Sequence, residues 1–120
     1  MNGYRDRIDA ISRLLTDILG DRVDVVTDSM TDIQAGRTSI LIDPPDLEWD
    51  RWADPETTWT ITVLSGVSWK QPDALEKVFD IIGILSDSQR VNLRKGVPAT
   101  CNVLGGEIAG YALTLNPTDY

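Results

Sequence analysis

The chain has 120 residues, 42% of them hydrophobic, and a formal net charge of -8 at pH 7. This length fits one domain with a modest core, and no apolar run approaches the roughly 18 residues that would span a bilayer. The 11 basic residues are scattered along the chain, which argues against direct binding of nucleic acid, because phosphate backbones require a basic stripe.

The residue types that most often perform chemistry are scarce. There is no histidine, which removes the Ser-His and Cys-His pairs that activate nucleophiles. A zinc site needs three or four Cys or His ligands, and no phosphate-binding glycine motif is present. The acidic residues between positions 43 and 56 lack the glycine of a calcium loop. Carboxylate pairs stay open, because they form only in three dimensions, but we expect no enzyme, no cofactor and no metal site.

The N-terminus and the single cysteine bear on the compartment. The first residues mix charges among the apolar positions and offer no small-residue cleavage site, which argues against a signal peptide. Cys101 has no cysteine with which to form an internal disulfide, as is usual in a reducing cytoplasm. We expect Cys101 to be a small buried apolar residue, the usual state of a free cysteine.

Residues 4–19 predict an amphipathic helix. Its apolar side chains recur at helical spacing, and they are Ile8, Ile11, Leu15 and Ile18, with Leu14 and Leu19 beside them. Gly20 is a natural C-terminal stop, since glycine adopts the left-handed conformation without a Cβ penalty. We expect this stripe to be core, although part of it could also serve an interface.

Three strands are predicted next. Residues 22–27 alternate weakly, and residues 38–43 form a better strand that stops at Pro44-Pro45. Residues 57–65, TTWTITVLS, give the strongest strand signal because β-branched and aromatic residues run throughout. Trp59 shares a face with Ile61 and Val63, which predicts that Trp59 is a core residue.

A second helix is predicted after Pro72. Asp73 and Glu76 match the capping-box spacing, and an apolar stripe follows: Leu75, Val78, Phe79, Ile82 and Leu85. Residues 87–96 predict a polar connector. Two strands around Gly105-Gly106 then predict a hairpin, with Tyr111, Leu113 and Leu115 on one face.

The expected fold is therefore an α+β single domain over residues 1–120. Its elements follow the order α-β-β-β-α-β-β. They predict a mostly antiparallel sheet of about five strands with two main helices packed on one face.

The segment 43–59, DPPDLEWDRWADPETTW, combines three of the four tryptophans with prolines and acidic groups. Asp46 could cap a short helical turn over residues 47–53, on which Trp49 and Trp52 would point the same way. The two rings could plug the protein's own sheet, or at least one could face a partner, where Trp is enriched. Trp69 is a similar candidate. The predicted interface residues are Pro44, Pro45, Leu47, Trp49, Trp52 and Trp69.

The layout resembles the tail terminator (tail completion) proteins of long, non-contractile-tailed bacteriophages. The matching pieces, in order, are RDRIDAISRLLTDILG, SILIDPPDLEW, WTITVLS, DALEKVFDIIGIL and GGEIAGYALTLN. They cover most of the chain, although each motif is loose, because the family is defined by layout more than by invariant residues. The acidic Trp-bearing loop and residues 87–96 have no clear counterpart in it.

The resemblance implies a structural virion protein. Such proteins form a hexameric ring of identical subunits on the head-proximal end of the tail tube, stop polymerisation of the major tail tube protein and present a surface to the head-side connector or stopper protein. DNA passes through the lumen without specific binding, and no membrane is involved. An acidic lumen would let DNA slide, although the acidity could equally serve solubility alone. The alternatives are a small acidic protein-interaction or regulatory adaptor, and an enzyme that uses carboxylates alone.

Overall fold

The computed structural model of the chain describes residues 3–49, 55–65, 71–103 and 106–116. Within these residues, two α-helices pack against one face of a five-stranded sheet, and a separate two-stranded ribbon lies at one end of that sheet. The α+β fold class expected from the sequence is confirmed, and the ribbon is an addition to it.

Helix α1 spans Tyr4–Leu19, as the apolar spacing predicts. Its buried side chains are Ile8, Ile11, Leu15 and Leu19. Gly20 follows the helix with φ 54°, a left-handed value that favours glycine, and its backbone N–H donates to the carbonyl of Thr16. The N-terminal stripe is therefore core, and the helix ends where the glycine predicts.

Helix α2 spans Gln71–Ser88 and differs from the prediction in two ways. It begins before Pro72, which lies in the first turn, where its missing N–H costs no hydrogen bond. Asp73 is therefore inside the helix, and the predicted capping box is wrong. The predicted stripe is also rotated: the buried residues are Ala74, Val78, Ile81 and Leu85, whereas Phe79 is exposed. Neither described helix is long and apolar enough to cross a membrane.

The main sheet is mixed. Strands β1 (Val25–Thr27), β2 (Ser39–Ile42), β5 (Thr60–Ser65), β6 (Leu93–Val103) and β7 (Gly106–Leu115) lie in the order β1-β2-β5-β7-β6. The β1–β2 pair is parallel, and the other three pairs are antiparallel. The mostly antiparallel sheet of five strands is as expected.

The β6–β7 hairpin forms one side of the sheet and is longer than predicted. Strand β6 begins at Leu93, so the predicted polar connector over residues 87–96 is wrong at both ends, because α2 also continues to Ser88. The first part of β6 is polar on the surface but pairs with β7 throughout, with an irregularity between Leu93 and Lys95. Residues 93–96 form a strand because they pair with β7, which is distant in sequence. Their local polarity does not predict that pairing.

The core lies between the helices and the sheet. Trp59 is 1% exposed there, as predicted, and it packs with Ile61, Val63 and the apolar faces of both helices. A smaller cluster covers the opposite face of the sheet, where the segment between β1 and β2 places Ile33 against Leu41, Leu64 and Ile108.

Candidate interaction surfaces

The Trp-bearing acidic segment forms an antiparallel ribbon and not the predicted helical turn. Strand β3 (Asp46–Glu48) pairs with β4 (Glu56–Thr58), so Asp46 is no helix cap. The prolines before β3 favour extended backbone, and the β-branched threonines of β4 supply a partner strand. We call β3, β4 and Trp49 the acidic ribbon.

The acidic ribbon exposes apolar side chains. Trp49 is 59% exposed and Leu47 is 49% exposed, whereas the exposed carboxylates at Asp46, Glu48 and Glu56 lie on the other face of the ribbon, because successive side chains of a strand alternate between faces. Pro44 is exposed and Pro45 is half-buried. The structure thus brings four of the predicted interface residues together, while Trp52 and Trp69 lie outside the described residues. Trp49 does not plug the protein's own core.

The base of the ribbon is fixed to the core. Thr57 is buried, and the Arg7 guanidinium donates a hydrogen bond to its hydroxyl at 3.4 Å. The same guanidinium lies 5.5 Å from the centre of the Trp59 ring. The Tyr4 ring also contacts the Trp59 ring, with 6.0 Å between their centroids. These contacts hold β4 at the N-terminus of α1, so the exposed side chains of β3 are presented from a firm support.

A second exposed apolar surface lies between α2 and the β6–β7 hairpin. Phe79 is 55% exposed, and its ring contacts the Tyr111 ring at 5.2 Å between centroids. The two rings border an open groove of about 540 Å³, here called the aromatic groove. It is lined by Phe79, Ile82, Gly83, Ser86, Leu93, Arg94, Lys95, Gly96, Tyr111 and Leu113.

Small residues keep the aromatic groove open. On α2, Gly83 and Ser86 follow Phe79 by four and seven positions, so they lie on the same helical face but add almost no bulk. A Cβ at Gly83 would meet no atom within 4 Å. On β6, a Cβ at Gly96 would lie 3.0 Å from Leu113 Cδ2. The groove therefore forms because these small residues leave space beside the Phe79 and Tyr111 rings.

The charge at the groove differs from that of the chain as a whole. Arg94 and Lys95 line its β6 end, in a protein whose formal net charge is -8. Neither forms an ion pair with another residue of the described part of the chain. By contrast, the nearby Arg90 guanidinium is 2.6 Å from the Asp17 carboxylate. The groove therefore offers two available cations next to apolar surface.

The free edge of β6 is a weaker candidate surface. An edge strand of eleven residues would normally present a long row of unpaired backbone groups. Pro98, in its middle, lacks an N–H, and the irregularity near Lys95 interrupts the regular pairing pattern. Proline, lysine and bulges are common protections of an edge against further strands.

The opposite face of the sheet contains a half-buried acid and thiol. Burial raises the pKa of Asp43 above its ordinary value, although the Thr62 hydroxyl, which donates to its carboxylate at 2.8 Å, opposes that rise. Burial, and secondarily the Asp43 charge, raises the pKa of the Cys101 thiol. Cys101 is half-buried beside the Ile33 cluster and not fully buried as expected. A thiol held protonated is a poor nucleophile.

Comparison with protein-family models, curated proteins and solved structures found no match. The resemblance to tail terminator proteins therefore rests on the sequence layout alone. Within the described residues, no group of three or more Cys, Asp or Glu side chains is placed to hold a metal ion.

The aromatic groove was not predicted. Its sequence signal is the spacing of Phe79, Gly83 and Ser86, which places a bulky ring and two small residues on one helical face. Phe79 continues the predicted apolar stripe of the helix, and only the position of the sheet shows that it lies outside the core.

Proposed function

We propose that the protein is a structural virion subunit that forms a homo-oligomeric ring on the head-proximal end of a bacteriophage tail tube. In this role it ends polymerisation of the major tail tube protein and provides the joining surface for the head-side connector. The hexameric number follows the family that the sequence layout resembles.

The observation that supports assembly is the presence of two different exposed apolar surfaces. The acidic ribbon continues from β2 and leads into β5, whereas the aromatic groove lies beside β7 and β6. A contact between two unlike surfaces is heterologous, and it closes into a ring when the rotation between subunits allows. A twofold dimer would instead use one self-complementary surface.

The relative position of the two surfaces also favours side-by-side assembly. Asp43 donates its backbone N–H to the carbonyl of Thr60 where the ribbon begins. Thr60 is opposite Thr114 of β7, and Leu93 is opposite Leu115 at the start of β6. The ribbon and the groove therefore lie at the same end of the main sheet but at different strands. Subunits that lie side by side in one layer need their two contact surfaces placed in this way.

The charge of the chain supports a role around DNA without adhesion to it. Each subunit contributes a formal net charge of -8, and a ring multiplies that charge around a central opening. A lumen of one sign repels the phosphate backbone and lets the duplex slide. We propose no catalytic activity and no cofactor, since the sequence has no histidine, one cysteine and no phosphate-binding glycine motif.

Two measurements test the proposal. The first is the mass of the purified protein, by light scattering after size exclusion and by native mass spectrometry, over a range of concentrations. The second is electron microscopy of tubes polymerised from a bacteriophage major tail tube protein, with and without the protein. We expect ring-sized species, or protein bound at one end of tubes whose growth then stops.

A strict monomer that neither binds tube ends nor limits tube length would contradict the proposal. That result would favour the adaptor alternative, which needs exposed aromatic residues but no self-assembly. Measuring both mass and tube capping matters because a ring could require the tube as its template.

A further inference from the structure

We propose that the acidic ribbon of one copy docks in the aromatic groove of the next copy. Trp49 and Leu47 of the ribbon cover Phe79 and Tyr111 of the groove, and the carboxylates on the ribbon's other face attract Arg94 and Lys95 at the rim of the groove. This inference rests on the proposed function, because it names the contact that holds neighbouring subunits of the ring together.

The ribbon and the groove both expose large apolar side chains. Trp49 and Phe79 are the two most exposed of the large hydrophobic side chains in the described part of the chain, at 59% and 55%. They do not cover each other within one copy, because both stay exposed. Aromatic pairs prefer tilted or offset contacts with centroids about 4.5 to 7 Å apart, and the Phe79–Tyr111 pair already provides two ring faces for a third ring.

The aromatic groove has room for the apolar side chains of the ribbon. The groove has a volume of about 540 Å³, within the range of about 300 to 1,000 Å³ typical of sites for drug-sized ligands. Gly83, Ser86 and Gly96 leave that space unfilled. An indole ring and a leucine side chain two positions away are small enough to enter that space, and the ribbon presents both on a support fixed to the core.

The ribbon and the groove carry charges of opposite sign. The ribbon has exposed carboxylates at Asp46, Glu48 and Glu56, and the groove has exposed cations at Arg94 and Lys95. In a chain with 19 acidic and 11 basic residues, two copies repel each other over most of their surfaces. Opposite charges favour the approach of the acidic ribbon to the basic end of the groove over the approach of two acidic surfaces.

Two other occupants fit the surface less well. Another strand could in principle add to the edge of β6, but Pro98 and the irregularity near Lys95 protect that edge. An unrelated acidic aromatic peptide would match the groove chemically, but it would leave Leu47 and Trp49 of every copy exposed. Docking between copies covers both surfaces with one contact.

The test uses substitutions that leave the core intact. Trp49→Ala removes the docking ring. Gly83→Leu fills the groove, and because a Cβ there meets no atom within 4 Å and leucine favours helix over glycine, the subunit should stay folded. Met30→Ala is the matched control, since Met30 is an exposed apolar residue on neither surface.

We expect Trp49→Ala and Gly83→Leu each to raise the protein concentration needed for assembly at least about tenfold, a common effect of losing a central interface Trp. Glu48→Lys and Arg94→Glu should each weaken assembly, and the double variant should recover part of the loss. Met30→Ala should assemble like the parent. Sedimentation equilibrium measures these concentrations, and end-binding to tail tubes replaces it if the ring needs a template.

Cross-linking identifies the partner directly. In a Cys101→Ser background, a mixture of Leu47→Cys chains and Ser86→Cys chains, which keep Trp49 and Gly83, should form an intermolecular disulfide between the two variants on mild oxidation. A chain with both substitutions should form cross-linked oligomers and not an internally linked monomer. An internal disulfide in a monomer would show that the ribbon folds onto its own groove and would overturn the inference.

The failure of this inference can be told apart from the failure of the proposed function. If the parent assembles or caps tubes while Trp49→Ala, Gly83→Leu and Arg94→Glu do so equally well, the ring uses another contact and only this inference is overturned. If the parent neither assembles nor caps tubes, the proposed function is overturned and the inference with it.

Discussion

Strand β7 approaches β5 so closely at Gly110 that a side chain there would collide with the carbonyl group of Val63. A Cβ built on Gly110 overlaps the Val63 carbonyl oxygen and lies 2.8 Å from its carbonyl carbon and 3.0 Å from Leu64 Cα. All three atoms belong to the backbone, which cannot rotate away as the end of a side chain can. The central β5–β7 pair therefore depends on glycine at this position.

Gly110→Ala should be strongly destabilising, whereas Gly83→Ala should be stabilising. Overpacking typically costs about 1 to 3 kcal/mol and occasionally more, and we expect a loss of at least about 3 kcal/mol for Gly110→Ala because the obstruction is backbone. Gly83 is exposed in α2 with open space around it, so alanine should add about 1 kcal/mol of helix stability. Urea unfolding followed by circular dichroism measures both. Equal effects for the two variants would contradict this account.

Trp59→Ala and Trp49→Ala should separate a core tryptophan from a surface one. Trp59 is 1% exposed, and removing a buried aromatic side chain costs about 3 to 5 kcal/mol. Trp49 is 59% exposed, so Trp49→Ala should change the stability of the isolated subunit by no more than about 0.5 kcal/mol. Thermal melts at a concentration below assembly provide the comparison. Unfolding of the Trp49→Ala subunit would show that Trp49 serves the fold after all.

The sequence predicts these two tryptophans unequally well, for a physical reason. Trp59 directly precedes β5, and the alternation of the predicted strand assigns its face, because neighbouring residues of a strand point to opposite sides. Trp49 is three positions from Trp52, a spacing that suggested a helical turn. β3 is a strand because it pairs with Thr57 and its neighbours, which lie several residues later in the sequence. The local spacing of residues contains no information about that partner.

Helix α2 shows a second limit of periodicity. Apolar residues occupy more of its surface than the sheet can cover, so the sequence allows several adjacent stripes. The sheet selects the stripe that includes Val78 and Ile81 and leaves Phe79 outside. Helix α1 has one apolar stripe only, and its boundaries and buried face were predicted correctly. The aromatic groove was hidden by this ambiguity and not by any weakness of the helix signal.

Pro98→Thr should make the edge of β6 prone to pairing with other strands. Proline withholds a backbone N–H in the middle of the edge strand, and threonine restores the donor and favours extended backbone. We expect the variant to fold but to aggregate faster at high concentration, with increased thioflavin fluorescence. Asn102→Thr is the control, since it introduces the same side chain at an exposed position of the same strand without adding a donor. Similar aggregation of both variants would assign the effect to threonine and not to the edge.

Asp43→Asn and Asp28→Asn should change stability with opposite dependence on pH. Burial raises the pKa of Asp43 above 3.8, so the folded state binds this proton more tightly than the unfolded state. Its contribution to stability is full below pH 3.8 and is lost as pH rises through the raised value. A hydrogen bond from Arg5 lowers the pKa of Asp28, so its contribution is present above pH 3.8 and is lost as pH falls.

The two variants therefore serve as controls for each other. Relative to the parent, Asp43→Asn should be more favourable at about pH 7 than at about pH 3, because asparagine can still accept the Thr62 hydrogen bond without a buried charge. Asp28→Asn should be less favourable at the higher pH, by a small amount since the pair is at the surface. Urea unfolding at the two pH values measures both differences. Trends of the same sign would refute the assigned pKa directions.

Asp43→Asn should also make Cys101 easier to ionise. Burial is the larger reason that the pKa of this thiol is above 9.0, and the Asp43 carboxylate adds to it. Removing the charge should move the pH profile of alkylation to lower pH, while burial keeps the pKa above that of a free thiol. Iodoacetamide labelling rates across the alkaline range, followed by mass spectrometry, report the thiolate fraction of this single cysteine. Asp80→Asn, on α2 across the sheet, should leave the profile unchanged. An Asp43→Asn profile that coincides with the parent's would mean that the carboxylate does not act on the thiol and that burial alone holds Cys101 in its protonated form.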